Sequence, residues 1–219
     1  MTLPTRAPMT SQDFQQLTNV SHETLQRLEA YLDLLAEWNK AVGLVSRSSL
    51  QDPWRRHILD CAQLFQHLAS DADRPIVDIG SGAGLPGLIL SILGCPEIHL
   101  IEANGRKAVF LQEAARRLDA KPIIHAVRVE DLAPFPAAVV TARAVASIES
   151  LIEMAMPFLT SDSRCLFLKG QDMVSELTEA EKRWRMQSRR ITSLSDPEGT
   201  LLEIRLPTLA PTLDRIPGP

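Results

Sequence analysis

The segment that most constrains the fold is Ile76-Val77-Asp78-Ile79-Gly80-Ser81-Gly82-Ala83-Gly84-Leu85-Pro86-Gly87. A short, mostly apolar run reads as a buried strand, and glycines then recur at every second position. Glycine lets the backbone turn sharply and lets a ligand approach with no Cβ in the way. The helix expected next aims its N-terminal N–H groups at that ligand, and Pro86 suits its first turn. An ordinary strand–helix turn does not need three alternating glycines, so the segment predicts a binding loop.

The chain around the loop alternates short apolar runs with helical stretches, the pattern of βαβ units and a mostly parallel sheet. Strands are expected at 76–79, 98–102, 122–126, 138–142, 164–169, 189–194 and 201–206, and helices near 85–93, 105–118, 147–158 and 171–185. Ser195-Asp196-Pro197-Glu198-Gly199 is turn chemistry, so the last two strands should form an antiparallel hairpin. The predicted fold class is α/β: a Rossmann-like seven-stranded sheet finished by a hairpin, the class I S-adenosylmethionine-dependent methyltransferase variant. An N-terminal helical extension precedes it. Leu25, Leu28, Leu32, Leu35 and Trp38 form one stripe behind Ser21 as N-cap, and a second helix starts at Pro53 with Trp54, Ile58, Cys61, Phe65 and Leu68 inward. The expected organisation is a helical segment over 1–73, frayed over 1–12, a methyltransferase domain over 74–207, and a Pro-rich tail over 208–219.

Composition narrows the classes. No apolar run approaches the roughly 20 residues that span a bilayer. The N-terminus has neither the apolar core of a secretory signal nor the Arg series of a transit peptide, which predicts a cytoplasmic protein. Three cysteines, none in a CxxC pair, read as reduced thiols, and no His lies at ligand spacing from a Cys, so no metal is expected. The net charge of −4 is unusual for a nucleic-acid binder. It allows RNA only through a local basic face.

Gly82-Ala83-Gly84-Leu85-Pro86-Gly87 also fits the dinucleotide GxGxxG pattern, with Glu102 about 20 residues on. Asp78 decides between cofactors. Ahead of the first glycine, a carboxylate would meet the methionine ammonium of S-adenosylmethionine, whereas a pyrophosphate would repel it. Gly80 and Gly82 then shape the loop, and Glu102 can accept from the ribose hydroxyls with either cofactor, so it does not discriminate. After the third strand, Arg128-Val129-Glu130-Asp131 can hold adenine through a backbone N–H and a nearby carboxylate. An NAD-dependent oxidoreductase ranks lower, because of Asp78 and the lack of a Tyr-x-x-x-Lys.

Several segments together resemble the RsmG (GidB) family: Glu37-Trp38-Asn39-Lys40, Arg56-His57-Ile58-Leu59-Asp60, the loop 78–87, Asn104-Gly105-Arg106-Lys107, Arg143-Ala144-Val145-Ala146 and Leu168-Lys169-Gly170-Gln171. The resemblance covers roughly residues 25–171. It implies cofactor contacts at Gly80, Leu85, Val129, Glu130 and Arg143, and methyl transfer to guanine N7 of 16S ribosomal RNA. Gly43-Leu44-Val45 stands where the family has Asn-Leu-Thr, and Cys61 where it has Ser. These departures put a polar role for that loop in doubt.

Guanine N7 carries a lone pair and no proton, so no general base is required, and orientation supplies the rate. Arg143 and Lys169 are the orientation candidates, with Lys169 also able to meet phosphate. Arg55, Arg56 and His57 are candidate RNA contacts, weighed against a plain charged helix face. Lys182-Arg183-Trp184-Arg185 with Arg189-Arg190 is the densest basic patch, and Trp184 suits either base stacking or the core. In A-form RNA N7 faces a groove that side chains cannot enter, so the target base must be unstacked. The expected partner is 16S RNA or the small ribosomal subunit, bound by a monomer. A methyltransferase for another acceptor, or a non-catalytic RNA-binding assembly factor, are the rival readings.

Overall fold

The computed structural model describes residues 7–68, 74–143 and 145–206. The tail and the boundary near 73 lie outside them.

Helix α1, Ser11–Thr18, begins within the segment 1–12 expected to fray and extends beyond it. Thr10 and Asp13 close a capping box, Phe14 is fully buried, and the Met9 N–H donates to Asp52 at 2.9 Å. The cap satisfies helix-end donors that would otherwise need water, and Phe14 fixes the short helix on the body. These contacts tie residues 7–14 to the body. Helix α2, His22–Val42, starts at Ser21 as read, its hydroxyl accepting from the Thr24 N–H, and stops at Gly43 in the left-handed region. Its buried stripe is Leu25, Leu28, Tyr31, Leu34 and Leu35.

Behind Pro53 the chain makes a π-helical turn, Trp54–Leu59, before the short α3, Asp60–Ala62. A π turn carries more residues per turn, so everything after it rotates relative to a regular helix. Leu59 and Leu64 are buried as a result, while Phe65, expected inward, is 44% exposed.

The sheet has seven strands: β1 Ile76–Ile79, β2 Ile98–Ile101, β3 Ile123–His125, β4 Val139–Arg143, β5 Arg164–Lys169, β6 Gln187–Thr192 and β7 Thr200–Arg205. Their order is β3-β2-β1-β4-β5-β7-β6. The first five run parallel, and β7 lies antiparallel between β5 and β6. The order reverses between β1 and β4, and such a switch point opens a crevice at the carboxyl ends of the strands.

Alternation along β1 feeds two apolar layers. Ile76 joins the layer of α4, Gly87–Ile92, and α5, Gly105–Arg117, while Val77 and Ile79 face α6, Ile148–Ala155, and α7, Met173–Glu181. Phe14, Leu28, Leu35 and Ile58 belong to the first layer, so the N-terminal helices share the core of the sheet domain. Polar ties add to this: the Arg27 guanidinium donates to the Leu118 and Asp119 carbonyls at 2.7 and 3.0 Å, and Trp38 meets Phe110 edge-on at 5.7 Å.

Candidate cofactor and acceptor site

A cavity of about 600 Å³ opens at the switch point. Its walls come from the glycine loop after β1, the end of β2, the 3₁₀ turn Val129–Asp131, the end of β4, and the N-terminal segment. The loop keeps its shape through backbone that only glycine adopts easily. Gly80 has φ +65°, and a Cβ there would stand 2.7 Å from a Val145 methyl. Gly82, at φ +56°, leaves its Cβ position open, the nearest atom being the Gly80 carbonyl oxygen at 3.7 Å.

Glu102 follows β2, is buried, and joins the wall. Its two oxygens accept from the N–H groups of Gly82 at 2.8 Å and Asn104 at 2.7 Å, which bind the glycine loop to the start of α5. Val129 and Glu130 line the wall beyond. Gly80, Gly82, Leu85, Glu102, Val129, Glu130 and Arg143 are thus brought together as the sequence predicts.

Asp78 is not with them. Alternation on β1 turns its side chain under α4, where it is fully buried. Its carboxylate accepts from the Gly87 N–H at 3.1 Å and the Thr141 hydroxyl at 2.9 Å. Gly87 permits this approach, since a Cβ there would stand 2.8 Å from the Asp78 Cβ and 2.3 Å from Leu100. Burial pushes the Asp78 carboxyl up to about 7, against hydrogen bonds from Ser81, Thr141 and Gly87. Asp78 thus braces the loop from below and does not line the cavity.

Arg143 ends β4 with its guanidinium held by the N-terminal segment. Nε pairs with Asp60 at 2.9 Å, Nη2 donates to the Arg56 carbonyl at 2.7 Å, and Nη1 lies 3.4 Å from His57 Nδ1. Asp60 in turn accepts from the Ser195 hydroxyl at 2.6 Å. Arginine can only donate, so His57 Nδ1 accepts and the neutral ring carries its proton on Nε2. Burial lowers the His57 pKa to about 4, with Arg143 and Arg56 adding to the effect. His57 is therefore neutral at pH 7, with Nε2 buried and without a hydrogen-bond partner.

The remaining candidates divide. Arg56 is half exposed on the cavity rim and pairs with Asp196 at 2.6 Å. Arg55 is buried against Asp52 at 2.7 Å and the Ala7 carbonyl and does not line the cavity. Lys169 is likewise turned away: its Nζ pairs with Glu176 at 2.6 Å and donates to the Ala146 carbonyl. A buried ammonium with both partners made has no reason to leave them for phosphate. Arg183 is paired with Glu149 and Glu153, and Trp184 packs on the second apolar layer. All three cysteines are buried and unpaired, and no metal-binding group occurs among the described residues.

Sequence reasoning missed the loop after α2. Leu44, Val45, Ser46 and Ser49 form one cavity wall, and Lys107 another part of it. Asn39 Oδ1 accepts from the Val45 N–H at 2.8 Å, which gives the Trp38-Asn39 pair its purpose. The signal was Asn39, placed to cap the loop that follows its own helix.

A doubly wound sheet of this order, with a glycine loop after β1 and an acidic residue after β2, defines the class I S-adenosylmethionine-dependent methyltransferase fold. Among solved structures it is similar to a magnesium protoporphyrin IX methyltransferase from Synechocystis PCC 6803 with bound SAM, at TM-score 0.56 and 13% identity over 85% of this chain and 97% of that one. The tRNA (m1A58) methyltransferase of Aquifex aeolicus gives TM-score 0.53 and 15% identity over 67% of each chain. Within that class the chain belongs to the rRNA small subunit methyltransferase G (GidB) family, whose model matches residues 24–200. Two relatives bearing the name ribosomal RNA small subunit methyltransferase G are each 50% identical. That of Rhodospirillum rubrum aligns over 90% of this chain and 97% of its own length, and that of Rhodospirillum centenum over 91% of both.

Proposed function

We propose that this protein transfers a methyl group from S-adenosylmethionine to N7 of a guanine in 16S ribosomal RNA, acting as a cytoplasmic monomer. The observation that carries the reading is the single cavity wall shared by the glycine loop, Glu102, Val129-Glu130 and Arg143 at the switch point. When bound, the cofactor supplies a sulfonium methyl, which the N7 lone pair takes as the carbon–sulfur bond breaks. Gly80, Gly82 and Leu85 leave room for the methionine portion, Glu102 is placed for ribose hydroxyls, and Val129-Glu130 for adenine.

The acceptor enters where Arg56, His57, Arg143 and the 44–49 loop close the cavity. No proton leaves the nucleophile, so these residues orient the base and exclude water. A histidine that stays neutral down to about pH 4 suits that role, since it does not compete for a proton. Arg56, paired with Asp196, and Lys107 bring positive charge to the cavity wall. A cavity with cations on its rim favours a polyanionic acceptor over a small apolar one.

The test is transfer of labelled methyl to small subunits from cells lacking the gene, digested to nucleosides. Label in 7-methylguanosine is expected. Label in another nucleoside, or in protein, would overturn the acceptor reading and leave the cofactor reading intact.

A further inference from the structure

We infer that Tyr31, on the N-terminal helical segment, is a positioning residue for the cofactor: its hydroxyl fixes the glycine loop by holding the Ala83 carbonyl. The inference rests on the reading of the cavity as the S-adenosylmethionine site.

Tyr31 is the only tyrosine of the chain, it is fully buried, and its Oη donates to Ala83 O at 2.8 Å across 52 residues. Burial holds its phenol well above the ordinary value, so the group remains an O–H donor. Ala83 stands between Gly82 and Gly84, both at positive φ, where the backbone has the most alternatives. Freedom that admits a ligand also lets the loop populate shapes that do not bind, and any fraction lost weakens affinity in proportion.

Three contacts remove that freedom. Glu102 accepts from the Gly82 N–H, and Asp78 accepts from the Gly87 N–H below. Tyr31 takes the carbonyl between them, and it alone of the three comes from outside the sheet domain. Within the loop, the Gly84 and Leu85 N–H groups bond the Ser81 carbonyl at 2.6 and 3.1 Å, a turn whose outer carbonyl is the one Tyr31 holds. A phenylalanine would fill the same space with the same ring. The hydroxyl is therefore matched to the loop, beyond what packing of α2 requires.

Tyr31→Phe tests this, with Leu25→Val on the same helix as a packing control. Tyr31→Phe should weaken S-adenosylmethionine binding about five- to tenfold by calorimetry, the worth of one net hydrogen bond. Without cofactor, hydrogen exchange should quicken in the peptide spanning 81–88 and stay unchanged in β4 and β5. Leu25→Val should lower thermal stability while leaving affinity and loop exchange alone. Unchanged affinity and loop exchange in Tyr31→Phe, or equal losses in Leu25→Val, would reduce Tyr31 to a packing residue. Failure of the unaltered protein to bind would overturn the cofactor reading, whereas the exchange arm still reports on the loop.

Discussion

At the scale of single residues, the two buried titratable groups near the site pull stability in opposite directions with pH. Asp78 has a folded pKa near 7, above the ordinary 3.8, so the native state holds its proton longer than the unfolded chain. Its contribution is fully present below pH 3.8 and is lost as pH rises toward 7. His57, lowered to about 4 from 6.5, contributes above pH 6.5 and loses that contribution as pH falls toward 4. The two mask each other in the unaltered protein. Asp78→Asn keeps the size and, with the Thr141 hydroxyl rotated, both hydrogen bonds. Its melting temperature relative to the parent should rise between pH 4 and pH 7.5, by about 2–4 °C for each kcal/mol of relieved burial. A difference that stays flat across that range would mean Asp78 ionises normally. Sequence reasoning marked Asp78 as special but could not place it, because residue order says nothing about which sheet face a strand position meets.

Among the elements, β3 forms one edge of the sheet and β6 the other. Five of its six residues are exposed, including Arg189 and Arg190 on opposite faces. An edge strand offers unpaired N–H and C=O groups to any passing strand, and charged side chains keep partners off. Replacing both arginines with valine should therefore promote self-association at tens of micromolar by strand pairing. Light scattering after size exclusion would read this out. A doubly substituted protein that elutes as the parent does would show that the edge is protected by something else. The hairpin itself was legible from Ser195-Asp196-Pro197-Glu198-Gly199, and its strands fell within two residues of their expected positions. The face of the helix after Pro53 was not, because a π turn leaves no mark in a sequence read at 3.6 residues per turn.

Over the whole molecule, a net charge of −4 meets a substrate made of phosphates. Three of the chain's 23 Lys and Arg residues, Arg55, Arg143 and Lys169, pair with carboxylates inside the fold. Acidic residues outnumber basic ones 27 to 23, so naked 16S RNA should bind in the range of non-specific contacts, about micromolar or weaker near physiological salt. Its salt dependence should match only a few neutralised phosphates. Small-subunit particles should bind about tenfold better or more, since they add shape and protein contacts that need no charge. Filter binding over a salt series measures both, and equal affinities would place all recognition in the RNA.

The seven strands, their helices, the glycine loop, and the gathering of Glu102, Val129, Glu130 and Arg143 at one cavity were determined by the sequence alone. Periodicity and turn chemistry act locally, and a doubly wound order carries residues at strand ends to one edge. Tertiary structure decided the rest. It turned Asp78 beneath α4, closed Lys169 and Arg55 into ion pairs, and built the N-terminal helices into the core of the sheet domain. It also brought Tyr31 to Ala83 and Asp60 to Arg143. Those outcomes depend on which groups meet across tens of residues, and burial then fixes their partners, because an unpaired polar group away from water is too costly to keep.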